Sequence, residues 1–226
     1  MIFFDLDETL LMHDAACKEA VAEFHQRFKT ETDLDAASFL SRWEALTEEW
    51  YDKYLDGTVS YQGQRRKRLQ SLYPKLDDVQ ADERFRIYLA AYESHWRLFP
   101  DAPPVLESLQ SHGVGVITNG DATQQMAKLV KTGVAPRVQV IAISGALHMR
   151  KPEERIFLEA CRMGGADPAK SWHVGDRLKD DAKGATTAGL TGVWLCRDAS
   201  KPADPAIPTI RSLVELPALI AATSRT

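Results

Sequence analysis

The sequence predicts an α/β protein, a parallel sheet flanked by helices and interrupted by an inserted helical bundle. Two observations predict it. From Pro100 onward, short apolar runs alternate with helical patterns, the signature of a parallel sheet covered on both faces. Between residues 13 and 98 that alternation is missing, and apolar residues step at helical spacing instead. With 226 residues, 44% hydrophobic and 27% charged, the chain is long enough for one large core or for a core and a smaller companion.

The first element is Ile2-Phe3-Phe4-Asp5, a short apolar run ending in acid, as expected of a buried parallel strand whose C-terminal end carries function. Three amphipathic stripes follow: Cys17, Val21, Phe24 and Phe28; Phe39, Trp43, Leu46, Trp50 and Tyr54; Phe85, Tyr88, Leu89, Tyr92 and Trp96. Such stripes bury against one another as a small bundle. After Pro100 the pattern reads helix 102–112, strand 114–118, helix 121–132, strand 138–142, helix 153–163, strand 171–175, helix 180–188 and strand 192–196. The stretch 198–210, rich in Pro, Asp and Ala, reads as loop before a last short helix. This is a Rossmann-like core of residues 1–12 and 99–226 with a helical domain at 13–98.

Sheets of this kind bind ligands beyond the C-terminal ends of their strands. The polar residues expected there are Asp5 and Asp7 after the first strand, Thr118-Asn119 after the second, Lys151 after the third, and Asp176 with Asp180 and Asp181 after the fourth. Asp5, Asp7 and Glu8 crowd three carboxylates into four positions. Like charges that close repel one another unless something positive sits among them, so the stretch is either a solvated strand end or a cation site. Asp176, Asp180 and Asp181 equally suit the positive end of a helix dipole.

DLDET at 5–9, ITN at 117–119, RKP at 150–152 and VGDRLKDDAKGA at 174–185 resemble, in order, the four motifs of the haloacid dehalogenase-like hydrolase superfamily. The helical insertion resembles the cap of one subgroup, and DLDET before a long cap looks most like the phosphatases related to pyrimidine 5′-nucleotidases and N-acylneuraminate-9-phosphatases. The resemblance implies a phosphomonoester hydrolase acting on a small phosphorylated metabolite, a sugar phosphate or nucleoside monophosphate. Asp5 would be the nucleophile that forms an aspartyl-phosphate, and Asp7 the acid and base. Thr118, Asn119 and Lys151 would hold the phosphoryl oxygens. Mg²⁺ would sit on Asp5, the Asp7 backbone carbonyl and Asp176, with Asp181 completing or supporting the set; Asp180 stands where relatives often carry Asn, which leaves the choice between the two acids open. The chemistry agrees: an anionic nucleophile needs a cation to approach a phosphate dianion.

Two other readings stand beside this one. Dehalogenases of the superfamily use the same aspartate on carbon but, by the resemblance, need neither Mg²⁺ nor a second acid, so Asp7 argues against them. A non-catalytic binding module on the same fold would tolerate loss of Asp7, Lys151 or Asp176, and all are present. A cap that opens and closes would hinge near residues 10–14 and 97–102. Arg65-Arg66-Lys67-Arg68 points all round a helix, so most of the four are expected in water, with one a candidate to reach the cleft between cap and core and hold an anionic substrate.

Composition narrows the partners. Twenty-eight basic against 32 acidic residues give a formal charge of −4, no electrostatic reason to expect nucleic acid or an anionic membrane. Cys17, Cys161 and Cys196 lie far apart and form no C-x-x-C pair, which argues against a disulfide framework or thiolate metal site and for a reducing cytoplasm. No apolar run approaches the roughly 18 residues that span a bilayer, and acids at position 5 onward break any signal-peptide pattern.

Overall fold

The computed structural model describes residues 1–223. By contacts the chain divides into two compact units, Met1–His13 with Trp96–Thr226, and Asp14–His95. The first carries a sheet that, among the described residues, has six strands: β1 (Ile2–Phe4), β2 (Val114–Thr118), β3 (Val140–Ile143), β4 (Trp172–Gly175), β5 (Thr191–Leu195) and β6 (Thr209–Ile210). Their order is β3-β2-β1-β4-β5-β6 and every pairing is parallel. This is the parallel, Rossmann-like sheet that the alternation predicts. β1 lies at the centre, with Ile2 opposite both Val114 and Trp172. A central parallel strand is covered on both faces, which is why Phe3 and Phe4 are wholly buried. Each contributes roughly 2 kcal/mol of apolar burial.

The helices of this unit are α5 (Ala102–Ser108), α6 (Ala122–Lys131), α7 (Ser144–Leu147), α8 (Glu154–Met163), α9 (Gly184–Thr187) and α10 (Leu216–Thr223). Phe3, Ile117, Ala142, Phe157, Ala160 and Leu190 meet in one hydrophobic cluster. α8 faces this cluster with Ile156, Phe157, Ala160 and Cys161.

Local chemistry moves several expected boundaries. The helix expected over 102–112 stops at Ser108 and gives way to a 3₁₀ turn, Gln110–His112, closed by Gly113 at φ 73°. The third strand begins at Val140 instead of 138 because a 3₁₀ turn, Ala135–Arg137, occupies the approach. The helix expected over 180–188 is a π-helical turn, Leu178–Lys183, continued by α9. β6 lies where loop was expected: the Trp194 amide donates to the Pro208 carbonyl, and Cys196 to Ile210, so a two-residue edge strand forms despite the prolines around it.

The second unit is built from α1 (His13–Phe28), α2 (Ala36–Leu55), α3 (Tyr61–Leu72) and α4 (Asp78–Ser94). Side-chain caps start three of them: Asp35 accepts from the Ser38 amide, Ser60 from Gly63, and Asp77 forms a capping box with Gln80, each such cap contributing about 1 kcal/mol. The three stripes supply the interior, with Phe24, Phe39, Trp43, Phe85 and Tyr88 buried and the Trp43 and Tyr88 rings 4.5 Å apart. Trp50 and Tyr54, at the end of the α2 stripe, are only half-buried.

The basic run departs from expectation. Lys67 alone of the four is fully exposed. Arg68 is buried, its guanidinium over Trp43 (4.9 Å) and Phe85 (5.3 Å); Arg65 lies over Tyr61 at 4.2 Å; Arg66 pairs with Asp78 and Asp82. Guanidinium planes stack on aromatic faces while their hydrocarbon stems pack, and the aromatic content of this unit makes those positions available.

Among the described residues no helix is long and apolar enough to cross a membrane. None of the three cysteines forms a disulfide.

Candidate active site

β1 delivers Asp5 one residue past its ladder, where the Asp5 amide donates to the Val174 carbonyl at 2.9 Å. The chain then turns tightly, with the Leu10 and Leu11 amides both donating to the Leu6 carbonyl. Glu8 sits in the left-handed region at φ 57°, a conformation that costs a residue with a side chain about 1 kcal/mol. Thr9 ties this turn to β4, its hydroxyl accepting from the Asp176 amide at 3.1 Å.

Lys151 stands between two carboxylates. Its ammonium lies 2.5 Å from Asp5 Oδ1 and 2.5 Å from Asp181 Oδ1, and all three side chains are buried. The loop that presents it is pinned by Asn119, whose amide donates to the Lys151 carbonyl (3.0 Å) and accepts from the Lys151 amide (2.9 Å). The structure thus uses the Asn119 side chain to place Lys151.

Asp181 is held from every side. Its Oδ1 accepts from Lys151 and from His173 Nε2 (3.1 Å), and its Oδ2 from the Arg177 amide (3.0 Å). The π-helical turn brings it there, and irregular turns of this sort recur at functional sites. Two glycines make room. A β-carbon on Gly175 would run into the Asp181 carboxyl, and one on Gly192 into the Ala182 carbonyl. Asp180 goes elsewhere, pairing with Arg177 at 3.1 Å.

Asp5, Asp176 and Asp181 each offer an oxygen within 4.8 Å of the others. Among the described residues the Asp176 carboxylate accepts no hydrogen bond. Burial, with Asp5 and Asp181 nearby, pushes its proton affinity up to about 8. Burial likewise raises Asp5 to about 7 against the pull of Lys151. Asp181 is also desolvated, but Lys151 and His173 outweigh that and hold it well below the carboxylate range. Lys151, desolvated too, is held above its ordinary value by Asp181 and Asp5. Once all three carboxyls are ionised, one ammonium leaves them two negative charges, the complement of one divalent cation, and such an ion would favour that ionisation. Trans ligands of an octahedral Mg²⁺ lie about 4.2 Å apart, a little inside the 4.8 Å bound on this cluster, so a small adjustment of Asp5 and Asp176, the available donors, would let them hold such an ion.

On the other side of Asp5, α6 addresses Asp7. Its N-cap Asp121 accepts from the Gln124 amide, and one face carries Gln125 and Lys128, spaced i, i+3. Lys128 Nζ lies 2.8 Å from both Asp7 oxygens. Gln125 Nε2 reaches Asp7 Oδ2 at 3.1 Å and Thr118 Oγ1 at 2.7 Å. Burial alone would raise Asp7, but Lys128, then His13 at 3.8 Å, bring it down to about 2. Because Thr118 Oγ1 accepts from Gln125, its own proton is left to donate, and the nearest acceptor, the Asn119 carbonyl at 3.4 Å, is too far for a strong bond.

A model of the haloacid dehalogenase-like hydrolase family matches residues 1–189. The chain belongs to this family. Within it, relatives that match over most of the chain are named phosphatases. A glyceraldehyde 3-phosphate phosphatase of Methanopyrus kandleri is 28% identical over 90% of this chain and 87% of its own length. A phosphoserine phosphatase of Thermus thermophilus is 29% identical over 93% and 94%, and the pyrimidine 5′-nucleotidase YjjG of Escherichia coli is 26% identical over 97% and 96%. Among solved structures, the magnesium-bound putative hydrolase YfnB of Bacillus subtilis superposes with a TM-score of 0.77 at 23% identity, covering 97% of each chain. A 2-haloacid dehalogenase of Pseudomonas syringae gives 0.72 at 26%, covering 98% of each.

For a member of this family, the strand-end residues read from the motifs lie together: Asp5, Asp176, Asp181 and Lys151 in one cluster, and Asp7 and Thr118 joined through Gln125. Lys128, Gln125 and His173 lie outside the four motifs. Gln125 and Lys128 carry one signal, their shared helix face beside Leu129; His173 carries its alternation with Trp172 and Val174 in a buried strand.

Proposed function

We propose that this chain is a Mg²⁺-dependent phosphomonoester hydrolase that works through an aspartyl-phosphate on Asp5, with a sugar phosphate or nucleoside monophosphate as substrate. The observation that carries the reading is the pair of differently furnished aspartates: Asp5 beside Lys151 and the bare Asp176 carboxylate, Asp7 beside Lys128 and Gln125. The phosphatases among its relatives act on glyceraldehyde 3-phosphate, phosphoserine and pyrimidine 5′-nucleotides, which share a small phosphomonoester.

Mg²⁺ held by Asp5 and Asp176, with the Asp7 backbone carbonyl, would screen the anionic nucleophile from the dianionic ester. The Asp5 carboxylate forms a bond to phosphorus as the ester P–O bond breaks, and the electron pair leaves with the alcohol oxygen. Asp7, which Lys128 holds ionised in the free protein, must first take up a proton, and it supplies that oxygen with it. Lys151, the Thr118 hydroxyl and the Asn119 backbone amide donate to the phosphoryl oxygens, where negative charge builds up in transit. Water then attacks phosphorus, giving its proton back to Asp7, and the bond to Asp5 breaks to release phosphate. Asp181, with both oxygens engaged, orients Lys151. Cysteines outside any disulfide suit a cytoplasmic enzyme.

The test is phosphate release from a panel of sugar phosphates and nucleoside monophosphates, with and without Mg²⁺, for the wild type and Asp5→Asn. Mg²⁺-dependent release, lowered at least about 10⁴-fold by the substitution, is expected, since loss of a covalent nucleophile is among the costliest changes. Likeness to the 2-haloacid dehalogenase gives the competing outcome a concrete form: halide release from a 2-haloacid without Mg²⁺, and no phosphate from any ester.

A further inference from the structure

We propose that Lys128, together with Gln125, is a positioning residue that holds Asp7 in register for both of its proton transfers, an inference that rests on the reading above. A buried lysine is rare unless paired, and the Lys128 side chain is 2% exposed. Its ammonium contacts both oxygens of Asp7 at 2.8 Å, so the carboxylate is gripped across its fork. Gln125, one turn earlier on α6, fixes the rotation by donating to Asp7 Oδ2 and joins Asp7 to Thr118. His13 is half-exposed and stands off at 3.8 Å.

This pair lies apart from the Lys151 cluster. Lys151 serves the attacking end of the reaction, at Asp5; Lys128 grips the residue that serves the leaving alcohol and the incoming water. Proton transfer needs donor and acceptor within about 3 Å in the right orientation. An aspartate on the turn that contains the left-handed Glu8 gains that orientation from α6, whose Leu129 is wholly buried. Lys128 therefore acts on the reaction through Asp7.

Leaving-group dependence tests this. An alkyl phosphate needs its leaving oxygen protonated, whereas p-nitrophenolate departs without help. Lys128→Met should lower kcat for an alkyl phosphomonoester by about 10²-fold, the usual worth of general acid–base catalysis, with little change in KM. With p-nitrophenyl phosphate it should keep the wild-type rate for the first-turnover burst of p-nitrophenolate and slow only the steady state, where Asp7 must deprotonate water. Asp7→Asn should behave alike, and the double variant should be no worse than Asp7→Asn. Lys128→Gln, which keeps a hydrogen-bond donor beside Asp7 and leaves the Gln125–Thr118 contact alone, should show the same pattern more weakly and secures the test should Lys128→Met fold poorly. A burst that falls in step with alkyl turnover, additive losses in the double variant, or unchanged turnover on both esters overturns the proposal. Wild-type protein that releases phosphate from neither ester overturns the phosphatase reading as well.

Discussion

Gly175 is the last residue of β4, and its backbone is one any residue adopts, since it is not among the glycines with positive φ. Gly175→Ala therefore adds a methyl group without backbone strain. The three atoms nearest to where that carbon would land all belong to Asp181. Asp181 has little freedom to yield: it is 1% exposed and accepts from Lys151, His173 and the Arg177 amide. Overpacking of this kind costs about 1–3 kcal/mol. In a chain of this size each kcal/mol lowers Tm by about 2–4 °C, so a mid-range cost of about 2 kcal/mol corresponds to a fall of about 4–8 °C. The activity loss should be larger than the stability loss suggests, because displacing Asp181 releases Lys151 from its position beside Asp5; about 10²-fold in kcat is expected for a misdirected transition-state donor. Calorimetry and phosphate release on the purified variant measure both. A Gly175→Ala protein with wild-type Tm and kcat would refute the argument that Asp181 occupies this space and that its position matters.

Asp181→Asn and Asp180→Asn should separate the two neighbouring acids: the first, which removes one of the two negative partners of buried Lys151, should lower kcat by at least about 10²-fold, while the second, which loses only a pairing with the mostly exposed Arg177, should change stability by less than about 1 kcal/mol and leave activity nearly intact. Asp101 is clamped by Arg197 (2.9 and 3.0 Å), the Ser212 hydroxyl (2.7 Å) and the Leu213 amide (3.0 Å), and although burial works the other way, these donors hold its carboxyl below the ordinary value. The folded protein thus binds that proton more weakly than the unfolded chain, so the stabilisation is complete above about pH 4 and fades as pH falls further. Asp101→Asn should lower Tm at pH 7 by about 2–4 °C, for roughly 1 kcal/mol of lost charge-assisted bonding, and the gap to wild type should narrow progressively in melts taken below about pH 4.

The strand-end residues were legible because each lies at a place the one-dimensional pattern marks. Asp5 ends an apolar run, Thr118 another, and Asp176 follows Val174-Gly175; the order of the motifs then groups them. Lys128 was not legible. In a helix with polar neighbours a lysine ordinarily belongs to the wet face, and only its distance to Asp7, more than a hundred residues earlier, shows that it is buried. Arg68 misleads in the same way: four consecutive cations imply solvent, yet the aromatic rings of α2 and α4 offer a guanidinium a buried face. The π-helical turn at Leu178–Lys183 looks like ordinary helix in the sequence because its apolar spacing does not distinguish the two, and β6 looks like loop because a two-residue edge strand between prolines carries no periodicity at all.

By itself the sequence determined the alternation of strands and helices, the placement of acids at strand ends and the family to which they belong, since hydrophobic periodicity and short motifs are local properties written along the chain. The tertiary structure alone decided which of Asp180 and Asp181 meets Lys151, and that Lys128, Gln125 and His173 join the site. The physical reason is that a buried charge is tolerated only against a partner, and that partner is chosen through space, across the sheet, by residues far away in the chain.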